Sequence, residues 1–138
     1  MSRGLKNRNP GNIRISKTIY VGEVVPSQDK AFKQFEDMAH GYRAMFVLLH
    51  TYQKKYGINT IRGIINRYAP PEDNNKTENY IKMVSKESCI APDTKCTFTF
   101  KELIFPIVCA MSKVENGIPA VQSEVEEGWK LFVESLKK

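Results

Sequence analysis

Residues 100–117, FKELIFPIVCAMSKVENG, constrain this chain more than any other stretch. Leu103, Ile104, Ile107, Val108, Met111 and Val114 fall at the three-and-four spacing of one helical face. Glu115 continues that spacing from Met111 and so shares the apolar face. Asn116 and Gly117 supply a C-terminal stop. Thr99 and Glu102 have the spacing of a capping box, and Pro106 is expected to kink the helix or delay its start. A carboxylate at the core end of an apolar helix is either paired or poised as an acid. Spacing alone leaves open a helix that ends at Lys113, with Glu115 in water.

Length and charge narrow the setting for such a helix. The chain has 138 residues, enough for one domain with a real core. No apolar run approaches the roughly 18 residues needed to span a bilayer, and the first dozen residues show no apolar signal-peptide core. A net charge of +6 favours an anionic partner: nucleic acid, a membrane surface or an acidic wall polymer. The charges lie in mixed-sign segments without a Lys/Arg block, which argues against nucleic acid. Cys89, Cys96 and Cys109 do not make a disulfide framework, although Cys89 and Cys96 have the spacing to bridge a short loop in an oxidising space. Free thiols are expected. Two histidines and no CxxC argue against a structural zinc site.

The period of the chain changes at Asp37. Before it, NPGN at 9–12 is turn chemistry, and Ile13/Ile15 and Ile19/Val21 alternate with other residues, as short strands joined by turns do. After it, Tyr42, Met45, Phe46, Leu49, Tyr52 and Tyr56 form one helical stripe, read as core, ending at Gly57. Asn59 is placed to cap a short helix through Ile61, Ile64 and Ile65. Residues 68–75, YAPPEDNN, read as an ordered loop because of Pro70 and Pro71. A helix is expected over 76–86 with Tyr80, Ile81 and Val84 inward. Ser123 and Glu126 suggest a capping box for a last helix carrying Val125, Trp129, Phe132, Val133 and Leu136. The fold class expected is α+β, a single mostly helical domain over 1–138, with a small β lobe at 1–37 and a helical lobe at 38–138.

Several of these segments resemble a phage and prophage family of lysozyme-like proteins. The match runs through NRNPGNIR, a Tyr-Val-Gly-Glu turn, FKQF, HGYRAMFVLLHTY, IIxRYAPPEDNNKTENYIKMV and a Val-Glu-Asn-Gly turn, about three-quarters of the chain. The order of parts is also similar to bacterial cell-wall glucosaminidases and lytic transglycosylases. There the helix ending in the catalytic Glu precedes the β lobe; here the only such helix follows it, so the resemblance implies a circular permutation, which nearby termini make accessible. The family usually has Asn where this chain has Arg8, and often Trp at Tyr20 and Tyr68.

The resemblance implies cleavage of peptidoglycan glycan strands. That chemistry needs a carboxylic acid kept protonated by apolar surroundings to protonate the leaving oxygen, the role expected of Glu115. Glu23 is the first candidate to activate water, with Asp29, Asp37 and Asp73 behind it. A lytic transglycosylase needs no second carboxylate, because a hydroxyl of the sugar itself attacks. Asn12, Tyr20, Tyr68, Asn74, Asn75, Thr77 and Tyr80 are the candidate substrate-binding residues. Asn9 reads as a turn former, Asn12 equally as turn former or groove residue, and Asn74, Asn75 and Thr77 equally as loop and cap residues. Tyr68 and Tyr80 have core tyrosine as their other reading. His40 and His50 are expected to have no chemistry. No cofactor, metal or membrane span is expected, and a monomer is. Delivery to the wall would need a holin, a virion or a secretion machine. The competing expectation is a virion structural or wall-binding protein that kept the groove without activity.

Overall fold

The computed structural model describes residues 1–73, 76–97 and 99–137. Among them the architecture is α+β: mostly helix, with a two-stranded antiparallel sheet near the N-terminus. Helix α1 is Arg3–Lys6, strands β1 and β2 are Glu23–Val24 and Gln34–Phe35, and the long helix α2 is Met38–Tyr56. Helices α3 (Ile61–Tyr68), α4 (Thr77–Ser88), α5 (Lys101–Asn116) and α6 (Gln122–Leu136) complete it. None of the described helices is long and apolar enough to cross a membrane.

The N-terminal lobe is held less by strand than by polar side chains. The sheet has only the pairs Glu23↔Phe35 and Val24↔Gln34, plus one bridge between Arg14 and Phe32. Ile19 and Val21, expected on a strand, are exposed; Tyr20 to Glu23 closes a turn in which Gly22 has φ +79°. Asn9 is fully buried: its amide donates to the carbonyls of Ile13 and Lys33, and its oxygen accepts from the Ile13 N–H. It is a turn former, as its sequence setting suggests. Arg8 sits in the left-handed region at φ +52°, which Asn tolerates better than a long side chain, so Arg at this position carries backbone strain. Gly41 of α2 admits this turn. A Cβ there would lie 2.3 Å from the Arg8 carbonyl oxygen and 2.6 Å from Pro10.

The helical lobe follows the sequence pattern with local corrections. Helix α2 starts where the period changes and ends at Gly57 in the left-handed conformation, as expected, and Asp37 caps its start through the His40 N–H. Tyr56 is 45% exposed rather than core. Thr60, not Asn59, caps α3, its hydroxyl accepting from the Gly63 N–H at 3.0 Å. Pro71–Asp73 forms a 3-10 turn inside the expected loop, with Pro71 at a first position where no N–H is needed. Helix α4 extends to Ser88, with no side-chain cap at its start. The capping boxes of Thr99/Glu102 and Ser123/Glu126 do not form. Phe100 and Val121 occupy the N-cap positions, and Glu126 pairs with Lys101 at 2.7 Å instead. Helix α5 runs through Pro106 without interruption.

Helix α2 packs most extensively against α6, and α5 against α4. Between α2 and α6, Phe46 stacks on Phe132 at 5.8 Å and meets Trp129 edge-on at 5.2 Å. Such aromatic pairs contribute about 0.5–1.5 kcal/mol beyond area burial. Leu136 at the end of the last stripe is 42% exposed. All three cysteines are free.

Candidate functional site

A cleft of about 380 Å³ separates the N-terminal lobe from the helices. Its size is in the range of small-ligand sites, about 300–1,000 Å³. Asn12, Arg14, Tyr20 and Phe32 line it from the lobe; Tyr52, Arg67, Tyr68 and Glu115 line it from the helical side.

Glu115 is half-buried one residue before the end of α5. Its Oε1 accepts from Asn12 Nδ2 at 2.9 Å, and its Oε2 accepts from the Tyr80 hydroxyl at 2.8 Å. Burial pushes its pKa above the ordinary carboxylate value. The two hydrogen bonds and the positive charge of Arg14 partly oppose that push. Both hydrogen-bonding partners are neutral, because burial holds the Tyr80 hydroxyl far above its usual pKa. The carboxyl is therefore oriented by two donors, with no salt bridge among the described residues to fix its charge.

Each neighbour has a local reason for its position. Asn12 adopts φ +49°, a left-handed conformation that asparagine tolerates well, and this turns its amide toward α5. Its Oδ1 is buried with no hydrogen-bond partner among the described residues. Gly4 of α1 backs it: a Cβ there would lie 3.0 Å from that oxygen and 2.5 Å from Asn116 Oδ1. Asn116 ties the two lobes. It accepts from the Ser2 hydroxyl at 2.6 Å and donates to the carbonyls of Pro10 and Ser112, both at 2.9 Å. Ser112 in turn bonds the buried Tyr42 hydroxyl at 2.9 Å, whose pKa burial pushes up to about 12.

Of the residues singled out by sequence, Glu115, Asn12, Tyr20 and Tyr68 come together on the cleft. The Tyr68 hydroxyl donates to the Gly11 carbonyl, so its ring forms wall while its polar end pins the lobe. Tyr80 is a core tyrosine, 9% exposed, that positions the acid from behind rather than lining the cleft. Thr77 is buried, its hydroxyl donating to the Ala69 carbonyl at 2.6 Å; it closes the loop and does not reach the cleft. Glu23 is not on the cleft either. Both its oxygens accept from Lys33 Nζ, at 3.1 and 3.0 Å, and Oε1 also accepts from the Tyr20 N–H. The side chains of Lys33 and Glu23 are 0% and 5% exposed. Asp29 is held by Arg3 and Asn7, which keeps its carboxyl well below the usual range, and Asp37 caps α2. Asn74, Asn75 and the Asp73 side chain lie outside the described residues.

Sequence reading missed Arg14, Arg67, Phe32 and Asn116 as members of the site. Arg14 counts only as the polar partner of Ile13 in an alternating pair, and Asn116 only as a helix stop. The position of Arg67 directly before Tyr68 was the available signal.

No family model matches the chain. It is 37% identical over 132 residues to Protein P5 of Pseudoalteromonas phage PM2, a match covering 93% of this chain and 80% of that protein.

Proposed function

From the premise that the chain belongs to the family of Protein P5 of Pseudoalteromonas phage PM2, we propose that it is a phage or prophage enzyme that cleaves peptidoglycan glycan strands on a lysozyme-like fold, with Glu115 as general acid. One observation carries this reading. Glu115 stands on the cleft with its pKa raised by burial, oriented by two neutral donors and forming no ion pair among the described residues. A protonated carboxyl there can hand its proton to a glycosidic oxygen as the bond from that oxygen to C1 breaks.

Glu115 is the only carboxylate among the described lining residues, and Glu23 is neutralised by Lys33. That favours the route with one acid/base. After donating its proton, the Glu115 carboxylate takes the proton of the sugar's own hydroxyl, whose oxygen attacks C1 and closes an anhydro ring. Asn12 and Tyr80 stabilise the carboxylate between the two transfers. Tyr20 and Tyr68 offer ring surface to sugar faces.

The test is release of soluble muropeptides from purified sacculi, with mass spectrometry on the new ends. Glu115→Gln is expected to fold and to lose about a hundredfold to ten-thousandfold in rate. Anhydro-muramic ends would mark a transglycosylase and reducing ends a hydrolase. If the wild type releases nothing from sacculi of several bacterial types yet sediments with them, a wall-binding or virion structural role replaces catalysis.

A further inference from the structure

The cleft's charge is positive apart from its acid. Among the described lining residues the charged ones are Arg14, Arg67 and Glu115, one arginine from each lobe. Two other arginines are matched with carboxylates, Arg3 with Asp29 and Arg62 with Asp93 and Glu78, while Arg8 and Arg43 lie away from the cleft. Neither Arg14 nor Arg67 forms an ion pair among the described residues. Both are held by aromatic faces instead. The Arg14 guanidinium lies 5.1 Å from the Phe32 ring centroid, and Arg67 lies 3.6 Å from Tyr56 and 5.4 Å from Tyr52. A guanidinium stacked on a ring keeps the N–H donors of its edge for a planar anion, and stacking lowers the entropy lost when that anion binds.

We propose that Arg14 and Arg67 form an anion subsite of the cleft, which takes a carboxylate borne by N-acetylmuramyl residues and so selects acidic glycans over neutral ones. The inference rests on the glycan-cleaving reading and names its substrate preference. It fits the cleft's electrostatics on a second count. Arg14 acts on Glu115 and favours its charged form. A substrate carboxylate seated on Arg14 offsets that field and leaves Glu115 protonated at the moment it is needed. A neutral glycan of the same length provides no such compensation.

The experiment uses the full chain carrying Glu115→Gln, so that ligands persist, and calorimetric titration with three probes: chitotetraose, a peptide-free tetrasaccharide of alternating N-acetylglucosamine and N-acetylmuramic acid, and the same glycan bearing stem peptides. Arg14→Met and Arg67→Met are compared in that background. Both side chains are exposed, and thermal unfolding checks that the variants fold. The stem peptide amidates the lactyl carboxylate, so the two muramyl glycans present different carboxylates. The expected result is that the one whose carboxylate is recognised binds tighter than chitotetraose, with each Met variant losing about tenfold for that glycan, as one charge-assisted hydrogen bond predicts, and almost nothing for chitotetraose. Loss with the peptide-free glycan assigns the anion to the lactyl carboxylate; loss confined to the peptide-bearing glycan assigns it to the peptide. Equal binding of all three probes, or Met variants that leave the preference intact, overturns the subsite while the glycan reading stands. If no probe binds, the glycan reading fails and the subsite with it.

Discussion

Glu23 and Glu115 both lie largely out of water, and both are bonded to groups of the N-terminal lobe. Their surroundings differ in one respect. Glu23 meets the buried ammonium of Lys33, which is also satisfied by the Thr18 carbonyl at 2.7 Å. Glu115 meets an amide and a phenol. The first arrangement fixes a charge and closes the lobe. The second supports either protonation state and leaves the carboxyl on a cleft. Burial therefore does not distinguish the two acids; the charge of the partner does.

This contrast breaks most visibly at Lys33. Lys33→Met strands the Glu23 carboxylate in a dry setting and is expected to cost about 3–5 kcal/mol, read by urea unfolding. Adding Glu23→Leu should recover most of the loss. A cost below 1 kcal/mol for the single change would show that the pair contributes nothing distinctive. Next comes Tyr80→Phe, which removes a donor from the charged form of Glu115. Stability should fall by about 0.5–1.5 kcal/mol, and the alkaline limb of activity should move to higher pH, since the hydrogen bond had been lowering the pKa. A limb that stays in place would reduce Tyr80 to packing.

The smallest effect is the dependence of stability on pH. Glu115 has a folded pKa above its ordinary value of 4.5. Its neutral form thus favours the fold below that value, and the advantage is lost as pH rises through the folded pKa. Glu115→Gln is accordingly expected to be slightly more stable than wild type at pH 7.5 and equal to it at pH 4, by thermal melts. The opposite ordering would mean that the fold prefers the carboxylate.

The helical part of this arrangement is legible in the sequence because it obeys one period. The α2 stripe, the change of period at Asp37 and the Gly57 stop, and the apolar face leading to Glu115, are all local signals. The N-terminal lobe is not legible in the same way. Helix α1 has four residues, too few to show a period, and the strands have two each. What organises that lobe is side chains bonding backbone far along the chain, as Asn9 does to Lys33. The same reason explains the different standing of Tyr80 and Tyr68. Each fits a helical pattern, but which one lines the cleft and which backs the acid depends on contacts 35 and 57 residues away. The expected capping boxes at Thr99 and Ser123 match the motif's spacing, yet the helix starts fall elsewhere.

The Asn12–Glu115 hydrogen bond joins residues 103 positions apart. A ribosome makes the Asn12 side first. The nascent chain thus carries Asn12, Tyr20 and Tyr68 well before Glu115 has been polymerised, and α5 closes on the lobe only when Asn116 can reach Ser2 and Pro10. A chain cut short anywhere before α5 lacks Glu115 together with the helices that pack against α2 and α4. For the proposed activity, translation itself is then the last safeguard: an abortive product has neither the acid nor the packed helices that hold it.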